Sequence, residues 1–540
     1  MKDSHIMKPN QFSRLSHFTT LALVTALAAC GGGGSSSPGP ASLTLTVERI
    51  DGPGLSAIQG TLHIARTGAP VLGASLTVAA SSGTLGATQD LGAGDYRFLV
   101  TPDRTGEYRL DITFEGQVLT RTALVLGEVD GAWGQPMAVE GLVNSPGYED
   151  GVTITPDGEY LFVQYGPWRF SAVELFKTSR AAGGAGGDRL VPSTFNHPWI
   201  DTTIGPTGAP ERPGLFDGRF SGTALLHNSN LWGIPIDGTT NFAAITMFYG
   251  FKRQPDGSYR EPFYLAFEDE NDAIMNPFGL SFRMDGGDQA TVLFSLDDPS
   301  DPVLVDKNSN GTFDVDPRFD VFHCPITLGQ NNTLGTYEVG SPPTPGPFYP
   351  ASLVEFGRTG QQGIFGTQGN PHLYLLPSGD VGSIWTDDEY DGGDLDPDND
   401  ADVGDITVQV LTAGSLSAGS WTQVALPANV NGGGHQTMPF FTGSGLYYFE
   451  DSSVHHSNYL GTDQAADYAD PGNWEPSTLI LGNDPGPGAV FGTMLAVAEP
   501  TLASIDGQDV LFFVYVIVRG TDATSNLPDL DMQAGYVVRR

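Results

Sequence analysis

Two carboxylates occupy matching places in a repeated pattern, and they pose the chemical question of this chain. Asp150 lies in Tyr148-Glu149-Asp150-Gly151-Val152-Thr153-Ile154 and Glu499 in Ala498-Glu499-Pro500-Thr501-Leu502, each at the opening of a strand-like run. Two acids on either side of a sugar can divide the acid and base roles of glycoside hydrolysis, provided that roughly 5–9.5 Å separates them. Corresponding places elsewhere hold Asn276, Asn370, His372 and His435, while Glu149 adjoins Asp150. Such side chains can bind a ligand, or they can hydrogen-bond the backbone of a neighbouring strand. Their recurrence favours scaffolding.

The elements that must position these residues form a recurring unit. Asn276-Pro277-Phe278-Gly279-Leu280, Asn370-Pro371-His372-Leu373, Met438-Pro439-Phe440-Phe441 and Glu499-Pro500-Thr501-Leu502 are each followed by a glycine-bearing turn and an aromatic-aliphatic run such as Leu446-Tyr447-Tyr448-Phe449. The fullest copy runs from Asn144 to Val163 and turns at Pro156-Asp157-Gly158, a hairpin signal. Further strands at Ala244–Tyr249, Asp405–Val408 and Gly535–Val538 bring the units to the strand content of a propeller blade. With 71 glycines and 39 prolines among short β-branched and aromatic runs, the 540-residue chain has an all-β composition.

The proline beside the inner strand, the Pro-Asp-Gly turn, the Leu-Tyr-Phe strand and the Asp-Ile-Thr-Val strand together resemble the TolB-type propeller repeat. Linkers with an aromatic residue and a proline, as in Tyr259 to Pro262, Trp421 to Pro427 and Trp474 to Pro476, fit it as well. The resemblance implies a β-propeller over 130–540. Pro277, Pro371, Pro439 and Pro500 stand about one blade apart, whereas Pro146 to Pro277 is nearly double that spacing. A degenerate blade formed by Gly222–Leu226, Asn230–Ile234 and Ala244–Tyr249 would fill the gap. Six blades are expected, or five if this stretch decorates the first. Inner strands of a propeller begin at the mouth of its channel, so Glu149, Asp150, Asn276, Asn370, His372, His435 and Glu499 are expected to converge there.

The N-terminus reads as an export signal. Lys2, Lys8 and Arg14 precede the apolar stretch Phe18–Ala29, too short to span a bilayer. Leu27-Ala28-Ala29-Cys30 resembles the lipobox of bacterial lipoproteins, which implies cleavage after residue 29, lipidation of Cys30 and, with Gly31 next, sorting to the outer membrane. Residues 30–41 are a Gly/Ser/Pro tether. From 42 to 129 apolar residues alternate with polar ones, as in Tyr96, Phe98, Val100 and in Tyr108, Leu110, Ile112, Phe114. Gly94-Asp95-Tyr96-Arg97-Phe98 and Thr105-Gly106-Glu107-Tyr108 resemble bacterial Ig-like modules, which implies a β-sandwich serving as a spacer.

Asp306-Lys307-Asn308-Ser309-Asn310-Gly311-Thr312-Phe313-Asp314-Val315-Asp316 resembles the front half of an EF-hand-like or dockerin-like calcium loop. The resemblance implies a structural Ca²⁺ held by Asp306, Asn308, Asn310 and the Thr312 carbonyl. Its twelfth position is Pro317, so Asp314 or Asp316 must complete the shell. The acidic run from Asp387 to Asp402 reads as disordered or as binding cations loosely without a specific ligand set, and Cys324 as a packed thiol.

With 25 basic against 63 acidic residues, a net charge of −38 repels phosphate backbones, and nucleic acid is excluded as a partner. No Gly-x-Ser-x-Gly elbow, His-Glu-x-x-His helix, phosphate loop or dinucleotide glycine pattern occurs in the mature region. The expectation is a lipid-anchored envelope protein whose propeller binds a protein, peptide or glycan without chemistry of its own. The alternative is a carbohydrate-active enzyme that uses Asp150 and Glu499.

Overall fold

The computed structural model describes residues 39–52, 54–144, 148–166, 168–171, 191–192, 233–235, 242–244, 248–265, 267–268, 277–305, 314–329, 349–354, 368–375, 382–388, 405–416, 418–432, 436–462, 464–483, 491–521 and 528–540. They are overwhelmingly strand. Among them the helical elements are one turn of α-helix, Ala465–Tyr468, and one 3-10 turn, Pro471–Asn473.

Near the N-terminus two antiparallel sheets lie face to face. Ser42–Ile50 pairs with Ala57–Arg66, which pairs with Asp95–Thr101; Thr77–Ala80, Gly106–Phe114 and Gln117–Val125 make the facing sheet. The alternation explains the packing. Tyr96, Phe98 and Val100 meet Tyr108, Leu110, Ile112 and Phe114 in one core, while Arg97, Leu99 and Arg109 turn to solvent. The Tyr108 hydroxyl lies 2.7 Å from the Asp103 carboxylate and accepts the backbone N–H groups of Asp103 and Arg104, which pins the turn before its own strand.

Beyond it stand five antiparallel sheets. The first contains Tyr148–Ile154, Tyr160–Gly166, Phe248–Arg253 and Tyr259–Leu265; the second Pro277–Gly286, Gln289–Val305, Asp314–Thr327 and Ser352–Leu353. The third contains Gln368–Leu375, Gly382–Asp388, Asp405–Ala413 and Ser420–Ala425; the fourth Thr437–Phe441, Gly445–Glu450, Ser453–Asn458 and Thr478–Gly482. The fifth is Met494–Ile505, Gln508–Thr521 and Pro528–Val538. Their opening strands neighbour one another in cyclic order, with the fifth beside the first.

The strand expected over Ala244–Tyr249 is divided: Phe242–Ala244 pairs with Gly233–Pro235 in a two-stranded sheet of its own, whereas Phe248–Arg253 belongs to the first sheet, paired with Tyr160–Gly166. Gly250 makes this possible. A Cβ there would lie 2.3 Å from the Phe263 ring and 2.6 Å from the Phe162 ring, two side chains that meet edge to face across it. The described residues thus supply five sheets to the ring, while Gly222–Leu226 and Asn230–Trp232 lie outside them.

The sandwich is not a detached spacer. Met137–Ala138 pairs on one side with the end of Gln117–Val125 and on the other with Pro528–Val538, so the sandwich and the fifth sheet share one continuous sheet. Glu128–Val129 adds a strand to the edge of the fourth sheet. Arg519 fills the angle between the two bodies, with nitrogens 2.6 and 2.9 Å from the two Glu107 carboxylate oxygens and 2.8 Å from Asp531. Tyr515 donates its hydroxyl to the same glutamate at 2.7 Å.

Candidate functional site

Each opening strand carries the same irregularity. The pairing register shifts between Asp150 and Thr153, Phe278 and Ser281, Gly369 and His372, Thr437 and Phe440, and Ala498 and Thr501. At each shift one residue is left-handed: Gly151 (φ 60°), Gly279 (φ 58°), Asn370 (φ 41°), Met438 (φ 55°) and Glu499 (φ 53°). A bulge interrupts the ladder, so the next residue needs no N–H for it. Pro371, Pro439 and Pro500 take that position, and Val152 and Leu280 stand there in the first two sheets. Pro277 falls three residues too early to be their counterpart, and Pro146 lies outside the described residues.

The five bulges surround a cavity of about 430 Å³. Two residues past the left-handed position, in the first three sheets, a side chain bonds to the neighbouring sheet. Thr153 donates to the Leu280 carbonyl at 3.0 Å, Ser281 accepts the Leu373 N–H at 3.1 Å, and His372 Nε2 donates to the Phe441 carbonyl at 2.8 Å. These bonds stitch the first four sheets together. With Nε2 the donor, the other His372 nitrogen accepts the Ser281 hydroxyl at 3.3 Å. Burial lowers the His372 pKa to about 4, so the ring is neutral at pH 7. The Phe440 ring lies against it at 4.1 Å.

Asp150 and Glu499 come together where the ring closes between the fifth and first sheets. Their side chains hydrogen-bond to each other, and Glu499 Oε2 accepts the Val152 N–H at 3.1 Å. Burial raises both carboxyls. Glu499 rises furthest, because the Asp150 charge adds to its burial, whereas the Gly151 N–H and the Glu499 hydrogen bond hold Asp150 back. The pair therefore keeps a proton at pH values where ordinary carboxyls have lost theirs, with Glu499 as its main holder. Glu499 is the one acidic residue among those lining the cavity.

The other expected site residues divide. Asn370 stands at its bulge, with its Oδ1 2.7 Å from where a Cβ on Gly279 would lie, and lines the cleft with His372. Glu149 does not. It is fully buried and off the cavity wall, because successive strand residues face opposite ways. Asn276 and His435 lie outside the described residues, as do Cys30 and, of the expected calcium ligands, Asp306, Asn308, Asn310 and Thr312. Asp314 and Asp316 belong to a paired strand opposite Val305 and Val303, so the twelve-residue loop geometry does not extend through them. Among the described residues no group of three or more His, Cys, Asp or Glu side chains is placed to hold a metal. Cys324 is buried, and burial pushes its thiol up to about 12, out of nucleophilic range. Sequence reasoning missed Met438, Phe440 and Thr501 as cavity residues; all three flank an anchor proline and could have been found from it.

No family model matches the chain, and no curated protein matches it. Among solved structures, the α-L-arabinanase of Cellvibrio cellulosa is similar at 12% identity, over 53% of this chain and 87% of that one, with a TM-score of 0.25. A likeness at that level does not define a shared fold.

Proposed function

We propose that residues 130–540 form a five-bladed β-propeller whose central cleft binds a protein, peptide or glycan without cleaving it. The observation that carries this reading is the state of Asp150 and Glu499. Two carboxyls in mutual hydrogen-bond contact stand well inside the roughly 5–9.5 Å that glycoside hydrolysis needs, and much of their bonding capacity is spent on the closure of the ring. What remains is a cleft of ligand-binding size, mostly apolar, with a few fixed polar groups. The test is a screen of glycans and envelope peptides, run beside a polysaccharide hydrolysis assay. Capture that weakens at least tenfold in Phe440→Ala, without turnover, is expected; turnover abolished by Asp150→Asn would overturn the reading.

The same proposal includes an Ig-like sandwich, supported by the Tyr108 hydroxyl tied back to Asp103 and Arg104, and a lipid anchor at Cys30 in the cell envelope, supported by the lipobox alone. Palmitate labelling lost in Cys30→Ser is the expected result. A structural calcium held by residues 306–316 would show as a melting temperature lowered by chelator.

A further inference from the structure

The lining of the cleft names a ligand chemistry, and this inference rests on the cleft being a binding site. Arg283 is the one lysine or arginine on its wall, and it is neutralised: Nε donates to Asp285 at 2.7 Å and a terminal nitrogen to Thr291 at 2.9 Å. His372 has both nitrogens engaged and carries no charge at pH 7. Opposing positive charge is therefore spent, while Glu499, with Asp150 hydrogen-bonded to it, retains partial access from the cleft.

A second observation comes from the next position but one. Thr153, Ser281 and His372 each bond to a neighbouring sheet, whereas Thr501, their counterpart in the fifth sheet, lines the cleft, is only 9% exposed, and its hydroxyl makes no hydrogen bond among the described residues. A buried hydroxyl without a partner lacks stabilisation that an incoming N–H donor can supply. Phe440, on the neighbouring opening strand, and Tyr374 also line the cleft and offer aromatic surface of the kind that attracts cations.

We propose that the cleft receives a cationic group of the primary-ammonium or guanidinium class, seated between the Asp150–Glu499 pair and the Thr501 hydroxyl. An ammonium presents three N–H donors, enough for a carboxylate, the hydroxyl and one further acceptor. Its charge stabilises the ionised pair, so binding drives the shared proton out to solvent. The charged groups on the surrounding strands do not supply that function already. Glu149 points to the opposite face of its strand, Arg283 is held by Asp285, and Asp531 on the third strand of the fifth sheet is bound to Arg519.

The experiment is calorimetric titration of the full chain with cadaverine, with 1,5-pentanediol and glutarate as neutral and anionic counterparts of the same length, in phosphate and in Tris at pH 7. Cadaverine is expected to bind at least tenfold more tightly than either counterpart, and its apparent enthalpy should differ between the buffers by the amount that release of a fraction of a proton requires. Glu499→Gln, which keeps a hydrogen-bonding side chain but cannot ionise, should cost at least tenfold in affinity and erase the buffer dependence. Thr501→Val should weaken binding several-fold with the proton release retained. Asp451→Asn, an exposed acid away from the cleft, controls for the acidic surface and should leave affinity unchanged. Equal affinity for the diol, loss of affinity in Asp451→Asn as large as in Glu499→Gln, or absence of cadaverine binding would overturn the proposal. Glycan or peptide capture that survives Glu499→Gln would also overturn it, while leaving the broader binding reading intact.

Discussion

Glu499 holds a left-handed backbone conformation that L side chains adopt rarely, and it does so beside a second carboxyl. Its raised pKa fixes the sign of a pH effect. The native pair holds a proton that the unfolded chain releases near pH 4.5, so the stability this proton confers is complete below that pH and falls as pH rises toward the raised value. One such group limits the loss to about 1.4 kcal/mol per pH unit. Melting followed from pH 5 to 8 should therefore show a steeper decline in the wild type than in Glu499→Gln; parallel profiles would remove the shared proton. The neighbouring bulges respond to substitution by their own geometry. Gly279→Ala brings a Cβ within 2.7 Å of the Asn370 Cα and should destabilise by about 1–3 kcal/mol, whereas Met438→Gly relieves a left-handed side chain and should be neutral or stabilising. Chemical denaturation of the two variants reads both. Asp150 and Glu499 were legible in sequence as acids beside two of the recurring strand openings, but their contact was not: Glu499 corresponds to Gly151 and Asp150 to Ala498, and the contact depends on where the ring closes. Glu149 was misplaced for a simpler reason, the alternation of side chains along a strand.

At the level of the element, the recurring proline marks a bulge. Proline is one answer to a position where no ladder N–H is needed; valine and leucine are others, and a repeat read by its prolines alone is legible in three sheets and blurred in two. The long interval between Pro146 and Pro277 that suggested a sixth blade persists between the bulges at Gly151 and Gly279, and among the described residues its strands Phe248–Arg253 and Tyr259–Leu265 complete the first sheet. The strand composition itself was plain, and the turns at Asp157-Gly158 and Asp506-Gly507 fall between paired strands as their sequences require. Val152 separates the two meanings of the position. It follows a left-handed residue, as Pro371, Pro439 and Pro500 do, so Val152→Pro is compatible with the local backbone but removes the N–H that Glu499 accepts. The expected loss is about 1–3 kcal/mol in urea denaturation, against less than about 1 kcal/mol for Pro500→Ala, whose position lacks that bond already. Equal effects would mean that the Val152 to Glu499 bond does not help to close the ring.

Across the whole molecule, the ring of sheets closes through the segment that precedes it. Met137–Ala138 lies between the sandwich and the C-terminal strand, and Ala534 exchanges hydrogen bonds with the Asn144 side chain, so the last strand of the chain is held from the N-terminal side. Nothing in the residue pattern announced this, because two short residues of strand carry no periodicity, and the sandwich by itself reads as a spacer. Arg519 adds the electrostatic part of the joint. Burial alone would lower its pKa, yet hydrogen bonding and charge from Glu107 and Asp531 outweigh it and raise the value. Removal of one partner leaves the others charged and largely shielded from water, so Glu107→Ala should destabilise by about 3 kcal/mol, at the lower end for a buried pair because about a fifth of its side chain is exposed. The loss should be felt by both bodies at once. Calorimetry of the wild type is expected to show the sandwich and the five sheets unfolding in one cooperative transition, and Glu107→Ala should move that transition down without splitting it. A sandwich that melts separately, with the main transition unmoved by Glu107→Ala, would return it to the role of spacer and leave the ring to close on its own.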